Sequence, residues 1–178
     1  MITFNLIKSN QPAYSFIETL LHDSFPIDER RDDAQQREYT DNNPLFSCYQ
    51  ICTNDKTPIG LITIWSLNGF HYIEHLATSP IVRNKGYGKL IMHHLIEKIH
   101  GVIILEVERP TDDLSTRRIG FYQRCGFSLC TKNYIQPPYR KGGNELPLYL
   151  MFHGTENIDN QFNDICKEIY THVYNKQI

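Results

Sequence analysis

The sequence predicts one α/β (α+β) domain: a mixed, mostly antiparallel sheet of six to seven strands, flanked by helices. Three observations carry this. Three strand-like runs, residues 46–53, 59–65 and 70–77, follow one another across turn sequences, the arrangement of consecutive antiparallel strands. From Lys89 onward helical and strand-like runs alternate, which brings in a parallel neighbour. The chain has 178 residues, 40% of them hydrophobic, enough for one core and short for two.

Taken in order, residues 3–7 alternate polar and apolar and read as a strand. Ser9 and Asn10 are good helix caps, and Pro12 costs nothing in a first turn. Tyr14, Ile17, Leu20 and Leu21 then recur at helical spacing through His22, until Phe25-Pro26 breaks the run. Residues 28–43 are the most polar stretch, with a short helix expected over 32–39. Residues 54–58 form the first hairpin turn, and Asn68-Gly69 the second. A helix over 89–100 places Leu90, Ile91, His94, Leu95 and Ile99 on one side, and Gly101 closes it. Residues 102–107, Val-Ile-Ile-Leu-Glu-Val, read as a strand covered on both faces. A helix over 115–125, capped by Ser115, ends at Gly126. Residues 127–131 and 146–152 form a closing hairpin around a Pro/Gly-rich loop, 136–144. Ile158, Phe162, Ile165, Ile169 and Val173 mark a C-terminal amphipathic helix over about 158–175. No repeat or linker interrupts the chain, so residues 1–178 are expected to form a single domain with its core in 3–152.

Charge and composition exclude several classes of function. Eighteen Lys and Arg against twenty Asp and Glu leave a formal net charge of -2, with no broad basic field for a nucleic acid or membrane surface. No apolar run approaches the roughly 20 residues that span a bilayer, and residues 1–10 lack the apolar stretch of a signal peptide. A cytoplasmic protein is expected. The five cysteines, Cys48, Cys52, Cys125, Cys130 and Cys166, are odd in number and sparse for a disulfide framework. Neither they nor the eight histidines show metal-ligand spacing, so no metal is predicted.

The chemistry concentrates in Arg83-Asn84-Lys85-Gly86-Tyr87-Gly88, between the strand ending at Ala77 and a helix. Glycines allow a tight turn that aims successive N–H groups at one point. A helix N-terminus adds unpaired N–H groups and positive dipole. Arg83 and Lys85 add mobile positive charge. The combination suits a pyrophosphate, yet it lacks the Gly-Lys-Ser/Thr ending of a P-loop and the GxGxxG spacing of a dinucleotide fold.

Leu76-Ala77-Thr78, Pro80, Arg83-x-x-Gly86-x-Gly88 and the helix that follows resemble the coenzyme A motif of the GNAT (general N-acetyltransferase) superfamily. Ile119-Gly120-Phe121-Tyr122-Gln123-Arg124-Cys125-Gly126-Phe127 is similar to a second landmark, the family's FYEKLGF helix end. The resemblance covers about residues 46–152, with both blocks in the family's order.

The resemblance implies the GNAT fold and an acetyl-CoA-dependent N-acetyltransferase, moving the acetyl group to a primary amine by direct attack. It implies a V between the fourth and fifth strands that receives acetyl-CoA. The pantetheine would pair with the main chain of Leu76, Ala77 and Thr78, and the pyrophosphate with the N–H groups of Arg83, Asn84, Lys85, Gly86, Tyr87 and Gly88. Lys89 is within one turn of the phosphates. Tyr122 takes the position of the family's general acid. Two glutamates compete for the base: Glu74, on the same face as Leu76 under strict alternation, and Glu106 on the fifth strand. A bulge would turn Glu74 away and bring His75 in. The family's Asn at the start of the tyrosine-bearing helix is replaced by the shorter Ser115, and the preceding loop is about four residues longer than in compact relatives. The expected acceptor is a small-molecule or peptide amine, and a homodimer is compatible with the sequence. Two other readings share these motifs: a non-catalytic CoA-binding or sensing module, and an acyltransferase for a longer acyl donor.

Overall fold

The computed structural model describes residues 1–176. Seven strands and five α-helices occur among them, in the order β1 (Ile2–Leu6), α1 (Tyr14–Ser24), α2 (Asp33–Asn42), β2 (Phe46–Thr53), β3 (Pro58–Leu67), β4 (Phe70–Thr78), α3 (Tyr87–Lys98), β5 (Val102–Glu108), α4 (Asp113–Arg124), β6 (Ser128–Gln136), β7 (Leu146–His153) and α5 (Phe162–His172). The chain divides into two compact units. One holds Met1–Trp65 and Ile73–Leu95; the other joins Ser66–Tyr72 to the chain from Ile96 onward.

In the first unit the strands run in chain order, β1 beside β2 and β2 beside β3, antiparallel, then β4. The short connections make this order the natural one. A register shift between Ile51 and Cys52 bends β2 where it enters the turn before Pro58. The apolar faces of β2 and β3 supply most of the core: Phe46, Ile51, Ile59, Leu61, Ile62 and Trp65 are buried. Ile17, Leu20 and Leu21 of α1 and Ile91, Met92 and Leu95 of α3 complete it. Each such side chain contributes about 1.5–3 kcal/mol by leaving water. α1 begins later than its capping sequence predicts: Ala13 occupies the N-cap without a side-chain bond. The Ser9 hydroxyl and amide both donate to Asp41 instead. α2 outruns its expected end at Tyr39 by three residues and is capped by Asp32, which accepts from the Gln35 amide at 2.8 Å.

In the second unit β7 lies between β5 and β6, antiparallel to both. β6 runs five residues beyond its expected end at Thr131. Its register steps from Cys130 opposite Leu150 to Tyr134 opposite Leu148, so four residue steps on β6 face two on β7. The inserted residues hid the continuation from any period-two reading. α4 packs against β5 and β6. Its N-cap is Asp112 rather than Ser115: Ser115 sits three residues in, and the two form a reciprocal capping box. The C-terminal helix is shorter than its periodicity, a single turn at Asp159–Gln161 leading into Phe162–His172. Among the described residues no helix is long and apolar enough to cross a membrane.

Candidate active site

Beyond β4 the chain makes one turn at Pro80–Val82 and enters the glycine loop. Asn84 (φ 62°) and Gly86 (φ 82°) are both left-handed, and between them they reverse the backbone around Lys85. A side chain placed on Gly86 would meet nothing within 4 Å. Glycine is therefore required there for its conformation, and the space over it is open. α3 starts at Tyr87, two residues before the apolar pattern suggests, with the Leu90 amide donating to the Gly86 carbonyl at 3.2 Å. Tyr87, Gly88 and Lys89 occupy a first helical turn, whose N–H groups have no earlier carbonyl within the helix to bond. Arg83, Lys85 and Lys89 are exposed beside them. A groove of about 630 Å³ adjoins the loop, lined by Thr53, Asn54 and Asp55 of the β2–β3 turn and by Lys85, Gly86 and Tyr87. Free helical amides, a left-handed glycine and three cations are the donor set that a pyrophosphate needs.

The strand leading into this loop is held close to β3. The Ser79 amide donates to the Ile59 carbonyl at 2.8 Å. A Cβ on Gly60 would lie 2.7 Å from the Ala77 carbonyl oxygen, so only glycine permits that spacing. Ala77 is buried, and Leu76 and Thr78 are half-buried.

Glu74, one of the two glutamates expected to serve as base, has a fully buried side chain. It forms a two-pronged ion pair with Arg31, one bond at 3.0 Å, and accepts from the Trp65 indole at 3.0 Å. Burial alone would raise its carboxyl; the charge of Arg31, with the bonds from Arg31 and Trp65, holds it below its ordinary value. Such a group accepts a proton poorly. His75 is buried too: its Nε2 donates to the Glu29 carbonyl at 2.9 Å and its Nδ1 faces the Thr63 hydroxyl at 3.4 Å. Burial depresses the imidazole, which fits a neutral ring with its proton on Nε2.

The second unit holds the other candidates. Glu106, opposite Leu150 on β7, receives the phenol of Tyr134 and, at 3.0 and 3.1 Å, that of Tyr174. Burial and the adjoining carboxylate push both phenols well above their usual range, so they remain donors. Tyr122, in the last turns of α4, is half-buried between Phe121 and Phe127, with ring centroids 5.2 and 5.9 Å away. Burial pushes its phenol up to about 12 against the opposing charge of Arg118. It is fully protonated at neutral pH. Ser115 is 2% exposed, with its hydroxyl engaged by Asp112 at 2.8 Å.

Three partners of these residues escaped sequence reading. Arg31 sits in a run of charges that reads as solvated, and Tyr134 lies beyond the β6 irregularity. Tyr174 falls one residue past the last apolar position of the C-terminal repeat. Its i, i+4 relation to Tyr170 was the available signal.

A family model described as the acetyltransferase (GNAT) family matches residues 13–127. No protein of curated function matches the sequence. A solved chain from Bacteroides thetaiotaomicron, assigned to the GNAT family of acetyltransferases, is 44% identical over 98% of this chain and 99% of its own, with a TM-score of 0.94. The spermidine N-acetyltransferase of Vibrio cholerae in complex with CoA and spermine shares the fold, with a TM-score of 0.62 and 15% identity over 85% of this chain and 94% of its own. A chimera of SpeG spermidine N-acetyltransferase from Vibrio cholerae and hSSAT gives 0.63 and 16% over the same shares. The chain thus has the GNAT fold and belongs to the GNAT family of acetyltransferases, enzymes of the N-acetyltransferase class that draw on acetyl-CoA.

Proposed function

We propose that the protein acetylates a primary amine with acetyl-CoA by direct transfer. The single observation that carries this reading is the left-handed Asn84 and Gly86 pair opening directly into the first turn of α3. Main-chain groups of Leu76, Ala77 and Thr78 would hold the pantetheine. Those of Asn84, Gly86, Tyr87 and Gly88 would hold the pyrophosphate; the Arg83 and Lys85 amides donate to the Pro80 and Val82 carbonyls at 3.3 Å, so these two residues and Lys89 would contribute side-chain charge. Ser115, spent on its capping box, leaves only main chain to contribute there.

An amine reaches the enzyme mostly as ammonium and must lose a proton before its nitrogen can form the new C–N bond. Glu106 takes this proton in preference to Glu74, which is neutralised by a buried guanidinium. As the C–S bond breaks, the thiolate takes a proton from Tyr122. No metal is required for either proton. The acceptor class is a small amine; the polyamines named for the Vibrio cholerae relatives are the first to test. Calorimetry with acetyl-CoA, followed by thiol release over a panel of polyamines, amino acids, aminoglycosides and peptides, tests the reading. Micromolar acetyl-CoA binding with amine-dependent thiol release is expected; absence of binding would overturn it.

A further inference from the structure

The end of the chain contributes a polar group to the interior of the second unit. After α5 ends at His172, Val173 and Tyr174 are buried, and Asn175 turns left-handed at φ 52°. The Lys176 amide then donates to the Tyr170 carbonyl at 2.8 Å, closing a seven-residue turn at the end of the helix. The Tyr170 phenol is anchored in turn on the Ile135 carbonyl at 2.7 Å. This backbone closure sets the position of Tyr174, and the Tyr170 phenol separately ties α5 to β6. Its hydroxyl straddles both oxygens of Glu106 and lies 3.4 Å from the hydroxyl of Tyr72.

We propose that Tyr174 is a positioning residue for Glu106, the function of the C-terminal helix being to deliver it; this rests on the reading of Glu106 as the base. A flexible glutamate on a strand has several rotamers, and a base must present one oxygen in one direction. Tyr134 from β6 holds Oε1, and Tyr174 bridges Oε1 and Oε2, so the carboxylate plane is set from two sides. Tyr134 and Tyr174 face Glu106, Tyr72 and Tyr139 face Tyr174, and Cys166 and Tyr170 of α5 lie behind them. Burial and the Glu106 charge hold Tyr134 and Tyr174 well above the usual phenol range, and burial pushes Cys166 and Tyr170 each up to about 12, so these four are neutral at pH 7. The hydroxyl bonds from Tyr134 and Tyr174 favour the charged form of the carboxylate. Loss of one donor must raise the pH at which Glu106 protonates.

The titration needs no acceptor. Protein labelled with ¹³C at the glutamate side-chain carboxyl is titrated by NMR, the Glu106 signal being assigned by its disappearance in Glu106→Gln. Tyr174→Phe keeps the ring and removes the oxygen. Its Glu106 titration should move up by roughly one pH unit, the scale of a hydrogen bond to a charged group. Acetyl-CoA affinity should stay unchanged. Tyr170→Phe, which frees the Ile135 carbonyl but leaves Tyr174 intact, should titrate like the wild type and controls for general loosening of α5. A Tyr174→Phe curve that superimposes on the wild type would overturn the assignment of Tyr174 while leaving Glu106 as the base. Full turnover by Glu106→Gln would overturn both.

Discussion

Arg31 and Glu74 form an ion pair sealed from solvent, the arginine side chain 1% exposed and the glutamate not at all. The guanidinium also lies over three rings, 4.9 Å from Tyr39, 5.5 Å from Phe46 and 5.6 Å from Trp65. Gln36 accepts from it at 2.8 Å. One arginine thereby ties the segment before α2 to β2, β3 and β4 within the first unit. A pair this deep gains little over an apolar one of equal volume, but breaking it leaves a charge stranded.

Arg31→Leu should therefore cost about 3–5 kcal/mol, roughly 10 °C in Tm for a chain of this size. The pH dependence has a definite sign. In the wild type the Glu74 carboxyl is held below its unfolded value, so its contribution is present above that value and lost as pH falls through the folded one. Without Arg31 burial prevails and raises the carboxyl, so the variant's deficit should be largest at neutral pH and shrink on acidification. Urea unfolding at pH 5 and pH 8 measures it. An equal deficit at both would show that lost ring stacking, rather than the stranded charge, dominates.

Gly86→Val should abolish acetyl-CoA binding in calorimetry while leaving the circular dichroism spectrum intact. The site has room for a side chain but not for a β-branched residue at φ 82°. The conformational cost is about 1–3 kcal/mol, and relief of that strain would turn the loop amides away. Retained affinity would remove the loop from the cofactor site.

These two regions differ in how far the sequence disclosed them. The loop was legible because its features are local: glycine spacing, a following helix and neighbouring cations are written in consecutive residues. The strands β2, β3 and β4 were legible for the same reason, as each is bounded by a turn sequence. Arg31 was not, because its burial depends on rings from Tyr39, Phe46 and Trp65, up to 34 positions away. Glu74 kept its predicted strand but acquired a partner no local pattern could announce. Ser115 was misassigned as a cap because Asp112 and Ser115 both satisfy the cap preference, and only the observed dihedrals separate them.

Gly60→Ala tests the spacing of β3 and β4. The added methyl would stand 2.7 Å from the Ala77 carbonyl oxygen, a backbone atom that cannot swing aside. β4 must shift at Leu76–Thr78, so the variant should lose about 1–3 kcal/mol of stability and bind acetyl-CoA at least tenfold more weakly. Calorimetry with thermal melting reads both. A stable protein with full affinity would show that the cofactor does not use this stretch of main chain.

Tyr122→Phe should lower turnover roughly 10²-fold, the scale of a lost general acid, with acetyl-CoA affinity nearly unchanged. Because the phenol is raised to about 12, the wild type should keep its acid through the whole neutral range. Its activity should fall on this account only as pH rises toward that value. A Phe variant with most of its turnover would assign the proton to water.

Glu106→Gln against Glu74→Gln decides which glutamate receives the ammonium proton. If Glu106 is the base, its Gln variant should lose about 10²-fold or more in turnover near pH 7. It should recover partly at higher pH, where more of the amine arrives already deprotonated. Glu74→Gln acts differently. Its amide cannot neutralise Arg31, so a guanidinium is stranded in the core and the variant should be thermally weakened, with the shape of its pH–rate profile unchanged. The discriminating quantity is the ratio of turnover at pH 9.5 to that at pH 7, measured for the two variants with one amine. A high ratio for Glu106→Gln with a wild-type ratio for Glu74→Gln identifies the base. The reverse result would return the role to Glu74 and require that Arg31 release it during the reaction.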